Sequence, residues 1–263
     1  MMNNEVCEDG KPATVSDTRI VGKTRQVRQV FENTDRYLES RAVDIRFRVE
    51  TVKEFAAEIQ WQKILDIGCG DGSISLQLLN RESHLTLLDL STNMIDLAVA
   101  NIPDALARNV EIRNGDFTAI ELESQAFDLI VTVGVMAHVD SPDKFLAKIS
   151  EILRPGGSLV IEFTDSGHIV GKLGRLWGCL KELLAPAKYS TNRLSFTKAV
   201  SLFEKHHLRL ISVFRYARLP LPGIDKILSH EIQYRIATLI FGKSRNNRNA
   251  WLGNEYICLL TRE

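Results

Sequence analysis

The residues of this chain whose types and spacing can do chemistry are three alternating glycines, Gly68, Gly70 and Gly72, with Asp66 just before them and Asp71 between the last two. Further acids follow at Asp89 and Asp116, and a histidine at His138. Alternating glycines let a loop take backbone angles closed to other residues, and having no Cβ they let a bulky ligand approach the main chain. The run reads GxGxG and lacks the basic GK[ST] ending of a nucleoside triphosphate loop. Carboxylates on both sides also disfavour a phosphate-rich ligand, so a cationic or neutral nucleoside fits better.

The elements around these residues follow from hydrophobic spacing. Ile64 to Ile67 reads as a short buried strand that points straight at the glycine turn, and the helical spacing from Ser73 onward (SISLQLL) predicts a helix whose N-terminus shares the loop's space. A regular alternation succeeds it. His84 to Leu90 is a second strand ending in Asp89, with Ser91 as N-cap of a helix through Met94, and Val110 to Arg113 is a third strand closed by Asn114-Gly115-Asp116-Phe117. Phe127 to Val133 is a fourth strand and Ser141 to Leu153 its helix; Pro155-Gly156-Gly157 ends that helix, and Ser158 to Phe163 is a fifth strand. This pattern predicts a parallel sheet with helices on both faces. Ligands of such sheets bind beyond the carboxyl ends of the strands, which gathers Gly68 to Gly72, Asp89, Asp116, Phe117 and Gly134 to His138 around one crevice.

Before the core, residues 1–20 read as a disordered tail and residues 21–60 as a helical cap, with two helices separated near Asn33 to Ser40. Tyr37 and Arg41 either reach towards a substrate or are solvated on helices that only pack on the sheet. The core is residues 61–165. Residues 166–263 hold helical insertions and the last two strands, Leu208 to Tyr216 and Asn254 to Thr261. Ser166 to Ser190 reads as a cap over a pocket, with His168, Trp177 and Tyr189 as lining candidates; Trp177 reads equally well as only an anchor of the cap to the core. Ile224 to Phe241 reads as an amphipathic helix with Ile224, Ile227, Leu228, Ile232, Ile236, Leu239 and Ile240 near one face, followed by Lys243, Arg245 and Arg248. It is either an extra packed helix or a lid, dimer surface or peripheral membrane contact.

Composition limits the function classes. The 33 basic and 33 acidic residues balance, and 44% hydrophobic with 25% charged residues is ordinary for a globular domain, so no general nucleic-acid-binding surface is expected. Cys7, Cys69, Cys179 and Cys258 lack zinc or disulfide spacing, and no acidic cluster suggests a catalytic metal. No apolar run reaches the roughly 18 residues of a spanning helix, and the expected location is cytoplasmic. The expected state is monomer or homodimer.

The ordered set LDIGCGDG at 65–72, LLDLS at 87–91, NGDF at 114–117, FDLIVTVGVMAHVDSP at 127–142 and LRPGGSLVIEF at 153–163 resembles the Rossmann-like class I S-adenosylmethionine-dependent methyltransferases of small-molecule type. The resemblance implies an α/β fold with a seven-stranded sheet whose last strand is antiparallel. It also implies S-adenosylmethionine as cofactor. In that family's terms Gly68 and Gly70 approach the methionyl part, Asp66 holds the loop and the cationic amino end, and Asp89 accepts from the ribose hydroxyls. Asp116 and Phe117 meet the adenine, Met94 packs on its other face or is simply core, and Cys69, Leu90 and Val133 complete the cofactor site. The fourth strand ends in VGVMAH rather than the Asn/Asp-Pro-Pro-aromatic motif of base methylases, which points to a small-molecule acceptor. The expected reaction is in-line methyl transfer to an oxygen of a partly apolar metabolite. His138 is either an optional base or a cap of the helix that follows. The alternatives are methylation of carbon or nitrogen on a quinone, lipid or natural-product intermediate, or a non-catalytic cofactor-binding partner. His206-His207 closes a helix and reads as structural.

Overall fold

A computed structural model describes residues 34–165, 168, 194–217 and 228–263, with the side chains of residues 35–37 outside the description. Helix α1 (Thr34–Ala56) leads to β1 (Lys63–Ile67), β2 (His84–Asp89), α2 (Thr92–Ala100), β3 (Val110–Asn114) and β4 (Phe127–Thr132). Helix α3 (Pro142–Ile152), β5 (Leu153–Thr164), α4 (Phe196–Lys205) and β6 (Leu208–Tyr216) follow. Helix α5 (His230–Phe241), a small hairpin of β7 (Gly242–Lys243) and β8 (Asn246–Asn247), and β9 (Glu255–Arg262) complete the described chain.

The main sheet has seven strands in the order β3-β2-β1-β4-β5-β9-β6. The pairs from β3 through β5 are parallel, and β9 inserts antiparallel between β5 and β6. Because side chains alternate along a strand, the strands feed two cores. On one face Ile64, Leu85, Leu87, Leu129, Val131 and Val160 pack with Phe47, Val52 and Phe55 of α1, Ala98 of α2 and Tyr234 of α5. On the other, Leu65, Ile130, Leu159, Ile161 and Leu260 pack with Phe145 and Ile149 of α3 and Phe203 of α4. Strand β4 is buried along its whole length, which is why it reads as a strongly apolar run, and its buried Asp128 is paired with Arg154 at 2.6 Å.

Four local expectations need correction. The separation expected near Asn33 to Ser40 does not occur over Thr34 to Ser40, where α1 runs unbroken, free of glycine and proline and supported further on by Arg41–Asp44 at 2.9 Å and Arg46–Glu50 at 3.6 Å; Asn33 and the helix expected before it lie outside the described residues. The helix expected after the glycine loop is a single 3-10 turn, Ser75–Gln77. Asn80, Ser83 and Asn109 lock the chain just beyond it, Asn109 Nδ2 donating to the carbonyls of Asn80, Arg81 and Ser83 at 3.0–3.1 Å, and no length remains for a second turn. Pro155-Gly156-Gly157 lies inside β5 rather than ending α3, since Leu153 already pairs with Phe127. Helix α5 buries Tyr234, Ala237 and Phe241 and leaves Ile232 (45%) and Leu239 (72%) exposed, so its core-facing stripe is not the isoleucine stripe. Residues 1–33, most of 166–190 and residues 224–227 lie outside the description, and with them the tail and cap expectations. No described helix is long and apolar enough to cross a membrane.

Candidate active site

The carboxyl ends of β1, β2, β3 and β4 open onto one cavity. Its floor is the glycine loop, held to the end of β2 by Gly68 N–H and Cys69 N–H, which donate to Leu88 O at 2.7 and 3.1 Å. Gly68 has φ +73°, and a Cβ there would collide with the Val135 side chain. Gly70, at φ +57°, faces open space, so its main chain is accessible to a ligand.

Asp89 ties loop and strand together. Its Oδ2 accepts from Gly70 N–H at 2.9 Å and its Oδ1 from Ser91 N–H at 2.8 Å. The Leu90 amide also donates to this carboxylate, whose two oxygens together have about four acceptor sites, so capacity remains for a hydroxyl. Burial raises the Asp89 carboxyl above its ordinary range, with the Ser91 and Gly70 amides opposing the rise. Ser91 also caps α2, accepting from Met94 N–H at 3.4 Å, and this cap sets Met94 into the cavity wall with its side chain otherwise buried.

Asp116 and Phe117 close the cavity beyond β3. Asp116 Oδ1 is engaged as a turn acid, accepting from Thr118 N–H and Oγ1–H, both at 2.8 Å, which leaves Oδ2 for another donor. The Phe117 ring is buried edge-on against Phe145, centroids 5.1 Å apart. Lys148 fixes this loop from α3: its ammonium donates to Phe117 O at 2.6 Å and to Ile120 O, and lies 5.0 Å from the Phe117 ring centroid. Leu90, Val133 and His138 also line the cavity. The backbone N–H of His138 donates to Val135 O at 2.8 Å, closing the turn that carries its ring.

Other expected residues sit elsewhere. Asp66 is buried beneath the loop rather than in the cavity lining, and its Oδ2 has no hydrogen-bond partner. Burial, with repulsion from Asp89 and Asp71, pushes its carboxyl up to about 7. Cys69 turns away into the core around Leu78 and Leu79, where burial raises its thiol, so it does not line the cavity. Arg41 pairs with Asp44 on α1 and His168 lies against Trp251, its Nε2 at 2.6 Å from the carbonyl oxygen; neither lines the cavity. The side chain of Tyr37 and both Trp177 and Tyr189 lie outside the description. His206 accounts for itself structurally, with Nε2 at 2.8 Å from Asp143 Oδ1.

Sequence reasoning missed Ser91, Gly115 and Thr118, which line the cavity between the named acids, and Arg48, whose guanidinium lies against Gly134 at the cavity's edge. The first three were findable as neighbours of Asp89 and Asp116 in the same turns. Arg48 carries no local signal, because only the packing of α1 across the sheet brings it there.

The strand order, with the last strand antiparallel and helices on both faces, is the fold of the Rossmann-like methyltransferases. Comparison with known proteins adds a sequence match: residues 64–157 match the model of a methyltransferase domain. Similar proteins include a ubiquinone biosynthesis O-methyltransferase of Aeromonas salmonicida (strain A449), 30% identical over 117 residues covering 43% of this chain and 48% of that one. A malonyl-[acyl-carrier protein] O-methyltransferase of Paenibacillus sp. (strain JDR-2) is 37% identical over 109 residues, 40% of this chain and 39% of that one. These matches span about half or less of the relatives' length. A solved structure from Thermotoga maritima, an S-adenosylmethionine-dependent methyltransferase described as a possible histamine N-methyltransferase, superposes with a TM-score of 0.62 at 18% identity, covering 90% of this chain and 99% of that one.

The site's chemistry fits that cofactor. An open main chain at Gly70 and hydroxyl-accepting capacity on Asp89 suit a nucleoside, and the cavity's described lining has no lysine or arginine that would call for a phosphate.

Proposed function

We propose that this protein is an S-adenosylmethionine-dependent methyltransferase acting on an oxygen of a small, partly apolar acceptor. The observation that carries the reading is Asp89 at the end of β2, joined to the glycine loop through Gly70 and still able to accept from a hydroxyl. In this reading Asp89 binds the ribose hydroxyls and the free oxygen of Asp116 accepts from the adenine amine. Met94, Leu90 and Phe117 flank the base, and Gly68 and Gly70 run beside the methionyl part. When bound, the cofactor supplies a methyl group already activated by a positive sulfur. The protein's own task is therefore to align the acceptor with that methyl and to exclude water.

His138 stands at the cavity rim, and an imidazole there takes the proton that an acceptor hydroxyl gives up as its oxygen gains the methyl. The O-methyltransferase relatives support oxygen as the methylated atom. Calorimetry with S-adenosylmethionine and its demethylated product tests cofactor binding, and mass analysis of acceptors incubated with methyl-labelled cofactor tests transfer. His138→Ala should lower turnover with cofactor affinity intact. Unchanged turnover removes His138 from the mechanism, and absence of cofactor binding by the unmodified protein refutes the whole reading.

A further inference from the structure

Helix α5 presents apolar residues on two opposite sides. One side packs Tyr234, Ala237 and Phe241 into the core, with the Tyr234 and Phe47 ring centroids 4.9 Å apart. The other carries Ile232, Arg235 and Leu239, spaced three and four residues apart and all exposed. A single exposed leucine is ordinary on a protein surface. What distinguishes Leu239 is its surroundings.

Leu239 lines a groove of about 740 Å³ formed by α5, α1 and the chain around the β7-β8 hairpin, and Arg235, Lys243, Arg245 and Arg248 line the same groove. All four cations are exposed, so a partner reaches them without rearrangement of the fold. The acids beside them are each engaged. Glu231 pairs with Arg46 and with Arg235 Nε at 2.7 Å, Glu50 with Lys243 Nζ at 3.1 Å, and Glu58 with Arg245 Nε at 3.2 Å. Glu54 accepts from the amide and hydroxyl of Ser244. Arg235 and Arg245 thus commit only Nε, and their Nη groups stay open at the surface. The Arg248 side chain makes no ion pair or hydrogen bond among the described residues. With Arg46, the groove's five cations face four acids, so its complementarity to an anion lies in these open guanidinium forks rather than in a large net charge.

The partner must supply anionic oxygens and an apolar phase together. Guanidinium forks match phosphate oxygens, and Leu239 and Ile232 beside them need contact that water does not give. A phospholipid surface offers both within the depth of one head group. A soluble phosphate would leave the apolar stripe in water. A second copy docked through the same face would set its arginines against these.

We propose that the outer face of α5 docks on an anionic phospholipid surface, with Leu239 and Ile232 entering the apolar layer and Arg235, Arg245 and Arg248 engaging lipid phosphates in the groove. The inference is independent of the methyl-transfer reading, because no residue of the cofactor cavity takes part in it.

The test sediments the full chain with vesicles of phosphatidylglycerol and phosphatidylcholine in equal parts, and with vesicles of phosphatidylcholine alone. The protein should bind the mixed vesicles and should bind phosphatidylcholine at least about fivefold more weakly, the effect of one basic residue near an anionic surface. Arg248→Gln should weaken binding to mixed vesicles by about fivefold for the same reason. Leu239→Ser, which changes no charge, should weaken it by about tenfold, the lower end of what burying a leucine contributes. Val99→Ser, a similar truncation at an exposed site on α2, should leave it unchanged. Thermal unfolding midpoints equal to that of the unmodified protein verify that the variants are folded. The proposal is overturned if the unmodified protein stays in the supernatant with mixed vesicles, if phosphatidylcholine alone binds as well, or if Leu239→Ser or Arg248→Gln binds as the unmodified protein does. A lipid-free dimer that Leu239→Ser dissociates, seen by sedimentation velocity, assigns the face to a second copy and overturns it too.

Discussion

Asp66 offers the sharpest test of how the glycine loop is held, because its substitution should stabilise the protein. Its carboxyl is buried under the loop and one of its oxygens lacks a partner. Burial raises its pKa from 3.8 to about 7. A shift of about three units corresponds to an ionisation cost of about 4 kcal/mol in the folded state, an upper figure before relaxation. The sign follows from proton counting. Between about pH 4 and pH 7 the folded protein keeps a proton on Asp66 that the unfolded chain has lost, so stability falls as pH rises through this window and the full cost is present above it. Asp66→Asn carries no such cost. In urea unfolding of the cofactor-free protein, the variant should exceed the wild type by about 1–3 kcal/mol at pH 8, and the difference should shrink by more than half at pH 5. Taking the difference between the two proteins cancels the contribution of Glu255, which burial also raises to about 7. A variant less stable than the wild type at pH 8, or a difference that is the same at both pH values, would refute the argument that Asp66 is held at a cost.

Asp89→Ala should weaken S-adenosylmethionine binding by about 10- to 100-fold, the value of hydrogen bonds to a charged acceptor, and a change under twofold by calorimetry would exclude a ribose role. Gly68→Ala forces a Cβ into the Val135 side chain at φ +73°, so a loss of about 1–3 kcal/mol in urea unfolding is expected, together with weakened cofactor binding. Lys148→Met removes the ammonium that holds the carbonyls of Phe117 and Ile120. Faster amide exchange across residues 116–120 and about fivefold weaker cofactor binding should result, and unaltered exchange would show that the Phe117–Phe145 packing holds the loop alone.

How much of this was legible in the sequence depended on whether the determining contacts were local. Asp89 and Ser91 sit at a strand end and a helix start, and the sequence Asp-Leu-Ser fixes both: the acid accepts from the serine amide two residues on, and the serine caps the helix. The strands were readable for the same reason, since β4 is buried on both faces and so is mostly apolar, with Asp128 as its one charged residue. The segment after the glycines misled because SISLQLL has helical spacing, yet Asn109, far along the chain, anchors the turn that stops it after one 3-10 turn. Leu239 misled similarly. Its spacing suits a buried stripe, but Tyr234, Ala237 and Phe241 take the core-facing side of α5 and leave Leu239 outward. Arg48, Glu162 and Glu255 meet from three elements distant in sequence, and no motif spans them.

The acids that burial raises show a common placement that no single residue reveals. Asp66, Asp89 and Glu255 all have raised carboxyls, and all lie at the carboxyl edge of the sheet. Acids whose carboxyls are lowered, Glu50, Asp143 and Glu231, are instead partnered by lysine, arginine or histidine on the helices. A fold selected only for stability would have no reason to segregate its costly acids on one edge. Segregation there is expected where a ligand brings the missing partners, as the ribose hydroxyls do at Asp89 in the function proposed above. The same burial that lowers the stability of the empty protein leaves each carboxylate in a surrounding of low dielectric, where a donated hydrogen bond is worth more than it is in water.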